Sequence, residues 1–178
     1  MFKKLLALTL ACLLALPCGV ALEWKEVLTC GDYKYTINGD GSATIIKYNG
    51  NESDLTIPAK LDGYAVTAIG YETFAWCDSL TSIAIPDGVT SIGDSAFYYC
   101  KSLTSITIPD GVTSIGEYAF YYCESQTSIT IPESVTSIGK HAFQSCSNLN
   151  LTVSPDSYAE KYAKNQGIPY VYSDGSEG

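Results

Sequence analysis

Ile85-Pro86-Asp87-Gly88-Val89-Thr90-Ser91-Ile92-Gly93, followed by Ala96-Phe97-Tyr98-Tyr99-Cys100 and Leu103-Thr104-Ser105-Ile106, decides how this chain folds. The stretch returns almost verbatim from Ile108 to Cys123 and again from Ile131 to Cys146. Cys77, Cys100, Cys123 and Cys146 mark the period directly, each 23 residues after the last. A fixed period of this length marks a solenoid, in which each unit buries its apolar face only against its neighbours. The rest of the chain reads as a way into this array, a way out of it, or something displayed on it.

Within one unit, Leu80, Ile83 and Ile85 alternate with Ser and Thr, and Leu103, Ile106 and Ile108 repeat the arrangement. β-Branched residues alternating with small polar ones suit a short strand with one buried face. Proline then ends the strand because it cannot donate to a ladder. Asp87-Gly88 and Asp110-Gly111 make the turn. Val89 to Ile92 forms a second short strand, and Gly93 allows the corner. Ala96 and Phe97 drop inward, and a single helical or 3₁₀-like turn is expected to lead to Cys100. Stacked coils then place Phe74, Phe97, Phe120 and Phe143 in one buried aromatic column. The third full unit departs from the pattern: Gln126 takes the phase of Leu80 and Leu103, and Glu133-Ser134 replaces Asp-Gly. A glutamine at a core phase costs burial energy unless its amide finds partners, so that coil should be the loosest.

The ends differ from the array. Tyr33–Ile37 and Ala43–Tyr48 are β-rich runs around Asn38-Gly39-Asp40-Gly41, which predicts a hairpin covering the first coil. Between Pro58 and Val66 lies a longer connection, Ala59 to Ala65, expected as a loop. Beyond Val153, Tyr158, Ala159, Tyr162 and Ala163 recur at helical spacing, stopped at Asn165-Gln166-Gly167. A helix of about 10 residues followed by a strand at 168–172 makes a C-terminal cap. The division expected is 1–21 signal peptide, 22–54 capping hairpin, 55–153 solenoid, 154–172 helix-strand cap and 173–178 polar tail.

Lys3 and Lys4, the apolar run Leu5 to Leu16 and the small-residue exit Gly19-Val20-Ala21 read as a secretory signal peptide, too short to anchor in a bilayer. Every basic residue is lysine, and the formal net charge is -9. A chain without arginine and of this charge lacks the forks and stripes that nucleic-acid binding uses, and its surface disfavours acidic lipid. Composition, 46% apolar and 16% charged, fits a folded chain.

Cleavage of the signal would leave Cys30 and one cysteine per coil, an odd set unlike a small disulfide framework. A ladder of buried free thiols is the reading preferred, although coils about 4.8 Å apart leave room for disulfides between them. A single histidine and no CxxC pair provide no metal site, and no cofactor is expected. Asp87, Asp110 and Glu133 recur at one phase without a second acid nearby, which suits a turn role better than a calcium ladder. His141 falls at an outward phase, no G-x-S-x-G elbow occurs, and no carboxylate pair stands out, so the chain does not read as an enzyme.

The strongest candidate surface follows each column phenylalanine. Trp76, Tyr98, Tyr99, Tyr121 and Tyr122 form a stripe along consecutive coils. Large amphipathic rings suit recognition; they equally suit packing over the outer turn. The ladder Thr81, Thr104, Thr127 with Thr107 and Thr130 could present hydroxyls to a ligand or simply be a solvated sheet face.

The unit I-P-x-x-V-T-S-I-G-x-x-A-F-x-x-C-x-x-L-x-x-I-x-I resembles the BspA-like class of leucine-rich repeats, with similar leading and trailing segments around Pro58, Gly63-Tyr64 and Tyr158 to Pro169. The likeness covers about 33–172. It implies a mainly-β, right-handed leucine-rich-repeat solenoid, and a bacterial secreted or surface protein of adhesion type. The family offers no catalytic residues to transfer. A secreted, monomeric, non-enzymatic module binding a protein or glycan partner is therefore expected, without nucleic acid and without a stable membrane anchor. The alternative is a structural or passive secreted protein with no specific ligand.

Overall fold

The computed structural model describes residues 25–176, so the segment read as a signal peptide lies outside the described residues. β1 (Leu28–Cys30), β2 (Tyr33–Ile37) and β3 (Ala43–Tyr48) form an antiparallel meander ahead of the repeats. Its central turn is closed by the Gly41 N–H on the Asn38 carbonyl at 3.0 Å, and the Asp40 carboxylate accepts the Ser42 N–H at 2.9 Å. The hairpin is the one the sequence predicts. β1 is an addition, since its short run carries no alternation to announce it.

The coils begin at β4 (Asp54–Thr56). The connection expected as a loop folds back as a hairpin, β5 (Lys60–Leu61) on β6 (Tyr64–Ile69), turning at Asp62-Gly63 with φ of 48° and 95°. β6 pairs in parallel with β3, which is how the meander covers the first coil. One row of parallel strands then continues through β7 (Ser82–Ala84) and β9 (Ser105–Thr107), starting from β4. A second row runs from β6 through β8 (Ser91–Ile92), β10 (Ser114–Ile115) and β12 (Ser137–Ile138). Register aligns Ile69, Ile92, Ile115 and Ile138, all buried, so each short strand stacks isoleucine on isoleucine.

The first row breaks once. β11 (Ser128–Thr130) pairs with β13 (Asn150–Val153) but not with β9, leaving two separate three-stranded sheets on this face. The break falls in the coil that holds Gln126.

The turn expected to be helical is instead a run of β-turns. Ala96 N–H bonds the Gly93 carbonyl, Tyr98 N–H that of Ser95, and Cys100 N–H that of Phe97, at 3.3, 3.0 and 3.3 Å. The alternate N–H groups of Ser95, Phe97 and Tyr99 point to the next coil and bond Glu117, Ala119 and Tyr121 carbonyls, each at 2.8 Å. A helix would keep all these donors for itself; the neighbouring coil takes half of them. The turn geometry requires positive φ at its third positions, and these fall on Ser95, Tyr99, Tyr118, Tyr122, His141 and Ser145, at 54° to 64°.

Glycine at the other corner serves a different need. A Cβ on Gly116 would lie 2.4 Å from the Asp94 nitrogen, and one on Gly139 equally close to that of Glu117. Close approach of successive coils, and not a left-handed backbone, demands glycine there.

Inside, Phe74, Phe97, Phe120 and Phe143 stack with centroids 5.1–5.2 Å apart and planes within 7° of parallel. Tyr48 of the meander covers the first ring at 5.4 Å, and Tyr162 of α1 (Tyr158–Gln166) meets the last edge-on at 6.1 Å. Each end of the column is thereby closed by an aromatic residue from a cap. The helix starts at Ser157, whose hydroxyl accepts the Glu160 N–H, and ends at left-handed Gly167. Buried Glu160 accepts from Lys164 Nζ and the Tyr172 hydroxyl, each at 2.6 Å, tying the helix to β14 (Tyr170–Tyr172). β14 pairs with β13, and Ser173 N–H still bonds the Val153 carbonyl at 2.9 Å, so the polar tail starts anchored.

Candidate binding surface

The structure brings the five stripe residues together as two adjoining stacks of rings. Trp76 lies on Tyr99 at 4.2 Å and 29°, and Tyr99 on Tyr122 at 4.6 Å and 9°. Beside them Tyr98 lies on Tyr121 at 5.1 Å and 11°. Tilted contacts of 4.8 Å between Tyr98 and Tyr99 and 5.2 Å between Tyr121 and Tyr122 join the two stacks. Trp76 is 59% exposed and the four tyrosines are half-buried, so the rings both pack and show an edge to solvent.

Two residues that sequence reasoning placed outside the stripe extend it. Tyr118 meets Tyr121 edge-on at 5.6 Å, and His141 stacks on Tyr118 at 5.2 Å. The signal was present as an aromatic three residues before Tyr121, but it needs the left-handed turn to bring the two rings into contact. His141 is exposed, as its phase implies.

The backbone beneath these rings is costly. Trp76, Tyr99 and Tyr122 hold φ of 63°, 60° and 62°. A bulky L-residue there gives up about 1–2 kcal/mol that glycine would keep. Ring stacking returns about 0.5–1.5 kcal/mol per pair, so the aromatics offset the strain rather than add to stability. Lys101 places its ammonium 5.3 Å from the Tyr99 ring. Partial burial, with the neighbouring phenols and Glu124, raises the Tyr99 hydroxyl above its ordinary pKa, so it stays a neutral donor.

The other candidate rows are structural where their bonds are seen. Thr81 and Thr104 hydroxyls donate to the carbonyls of Ser53 and Thr81, at 2.9 and 3.0 Å. Thr90, Thr113 and Thr136 do the same on the second face, at 3.2–3.3 Å. No such bond joins Thr127 to the coil before it, consistent with the break between β9 and β11. Asp87, Asp110 and Glu133 are exposed, and the turn beside each is closed by the backbone bonds Val89 to Pro86, Val112 to Pro109 and Val135 to Pro132. Among the described residues, no group of three His, Cys, Asp or Glu could hold a metal ion, and no helix is long and apolar enough to cross a membrane.

All five described cysteines are free. Cys100, Cys123 and Cys146 donate their thiols to the Phe74, Phe97 and Phe120 carbonyls of the preceding coil, at 3.0–3.3 Å. Burial pushes Cys100 up to about 12, so it behaves as a small apolar residue with one weak bond.

Short parallel strands, a 23-residue period and a stacked interior column define a leucine-rich-repeat solenoid that displays an aromatic surface. A BspA-type leucine-rich repeat region, in six copies, matches residues 67–163, and the chain belongs to that family. Solved structures agree in fold. A leucine-rich repeat protein of Bacteroides capillosus is 32% identical over 70% of this chain and 97% of its own, with a TM-score of 0.61. One from T. pallidum is 26% identical over 71% of each chain, with a TM-score of 0.62. A leucine rich cell surface protein of Faecalibacterium prausnitzii is 30% identical over 78% of this chain and 56% of its own, with a TM-score of 0.51. No curated protein is significantly similar in sequence.

Proposed function

We propose that this chain is a secreted or cell-surface, non-enzymatic interaction module that works as a monomer and binds a protein or glycan partner through the Trp76–Tyr122 surface. The observation that carries the reading is the placement of solvent-reaching aromatic rings, one exposed and two half-buried, on strained positions. Trp76, Tyr99 and Tyr122 occupy left-handed turns where glycine or asparagine would cost less. Strain kept at a surface position is most readily understood when the side chain has a duty beyond folding. Aromatic rings with a polar handle are the residues that dominate interface energetics. Surface location is supported by the cell-surface relative from Faecalibacterium prausnitzii.

The mutual stacking of the rings favours a second reading, in which they only shield the outer turn of a passive structural protein. Partner capture by the chain and by its Tyr98→Ser/Tyr121→Ser variant separates the two. Saturable capture lost in the variant, with an unchanged circular dichroism spectrum, supports the binding surface. Capture that is absent, or unchanged by the substitutions, leaves the structural reading.

A further inference from the structure

One phase of the repeat changes charge at its last turn. The residue after each corner glycine is Tyr71, Asp94, Glu117 and Lys140 in successive coils. Register is kept along this row, because the carbonyls of Asp94, Glu117 and Lys140 each accept an N–H from the preceding coil, at 3.1, 2.8 and 3.1 Å. The two acids are exposed, and so is the lysine that follows them. A row that is anionic along the solenoid therefore ends on a cation at the coil that α1 caps.

The helix adds a second cation. Tyr158, Lys161, Tyr162 and Asn165 recur at i, i+3, i+4 and i+7, which places them on one face of α1. With Ile138, Lys140 and Gln166 they line a cleft of about 430 Å³. No Asp or Glu lines it, on a chain of formal net charge -9. Among the described residues the one ion pair is Lys164–Glu160, and neither of its members lines this cleft. Lys140 and Lys161 are thus both exposed and without a carboxylate partner. Two like charges in one cleft repel each other until an anion lies between them.

We propose that this cleft binds a tetrahedral oxyanion, the phosphate or sulfate ester of an organic ligand. Lysine is a compact point charge, without the planar fork by which arginine grips a carboxylate. Two lysines on separate elements, with the Asn165 and Gln166 amides and the Tyr158 hydroxyl as further donors, suit a group whose oxygens point in several directions. Ile138 and the Tyr158 and Tyr162 rings supply an apolar wall for the body that carries the ester. None of the five stripe residues lines the cleft, so the site stands apart from the aromatic surface and does not rest on its role.

Inorganic phosphate, sulfate and acetate titrated into the purified chain at constant ionic strength, followed by amide NMR, test the proposal. Phosphate or sulfate should give saturable shifts centred on Lys140, Lys161 and Asn165, with a roughly millimolar Kd, and acetate should bind more weakly. Tighter binding of phosphate assigns a phosphate ester, and tighter binding of sulfate a sulfate ester. Affinity should fall about fivefold in Lys140→Gln and in Lys161→Gln, as each removes one charge-assisted contact. Lys140→Glu, which restores the charge that Asp94 and Glu117 carry at this phase, should abolish binding while the circular dichroism spectrum stays unchanged. Lys60→Gln, at an exposed lysine elsewhere, should leave affinity as it is. Shifts that do not saturate, acetate bound as tightly as the tetrahedral ions, or equal losses in Lys60→Gln and Lys161→Gln overturn the proposal.

Discussion

Gln126 donates its amide Nε2 to the carbonyl of Ser128 two residues on, while its Oε1 is buried with no partner. The same coil contributes β11, the strand that fails to pair with β9, although β10 and β12 stay paired on the opposite face. Leucine at this phase in the two preceding coils makes no demand on the backbone. Glutamine instead takes a carbonyl at the start of β11 and brings an unsatisfied oxygen into the core.

Gln126→Leu should therefore stabilise the chain by about 1–3 kcal/mol, the usual cost of a buried unsatisfied polar group. Denaturant unfolding measures the gain, and hydrogen exchange at Ser128–Thr130 should slow as the ladder closes. A loss of stability would mean that the Ser128 bond outweighs the orphaned oxygen.

Glu160 sets an acid limit on the C-terminal cap. The Lys164 ammonium, then the Tyr172 hydroxyl, hold its carboxyl down at about 2 against the usual 4.5, and Tyr172 is pushed up to about 12 in return. A carboxyl depressed on folding stabilises fully above its unfolded value and loses that contribution as protons are taken up. Protection of the α1 amides should accordingly decline as pH falls from about 4.5 towards 2. Glu160→Gln should be less protected at neutral pH and nearly flat across that window; a wild-type decline retained in this variant would assign it to another group.

Tyr99→Asn probes the strained turn. Asparagine tolerates the left-handed backbone and recovers about 1–2 kcal/mol, while the two lost stacks, on Trp76 and on Tyr122, together cost about 1–3 kcal/mol. Stability by thermal unfolding should change by less than about 1 kcal/mol, and partner capture should drop. A destabilisation of several kcal/mol would show that the ring is there for packing.

Much of this architecture is legible in the chain. Ile83, Val89, Ile92, Phe97 and Leu103 recur at one spacing and are buried, and the tyrosines of the meander and of α1 close the two ends. The aromatic stripe could be picked out for the same reason, as it follows the phenylalanine at a constant offset. Its extent could not: Tyr118 and His141 join only because their turn is left-handed. The roles of the turn residues were also misplaced. Gly93 reads as a corner needing freedom and is in fact needed for space against Gly70, while the positive φ falls on Ser95 and Tyr99.

By itself, then, the sequence determined the period, the interior and the caps, because a solenoid buries each unit against a neighbour of nearly identical composition and the pattern repeats until it is evident. Tertiary structure alone decided the turn geometry, the open ladder beside Gln126 and the way Tyr118 and His141 join the ring stacks. Those depend on N–H groups bonding carbonyls about a coil away, as Tyr99 does with Tyr121, and on which side chains that pairing sets face to face.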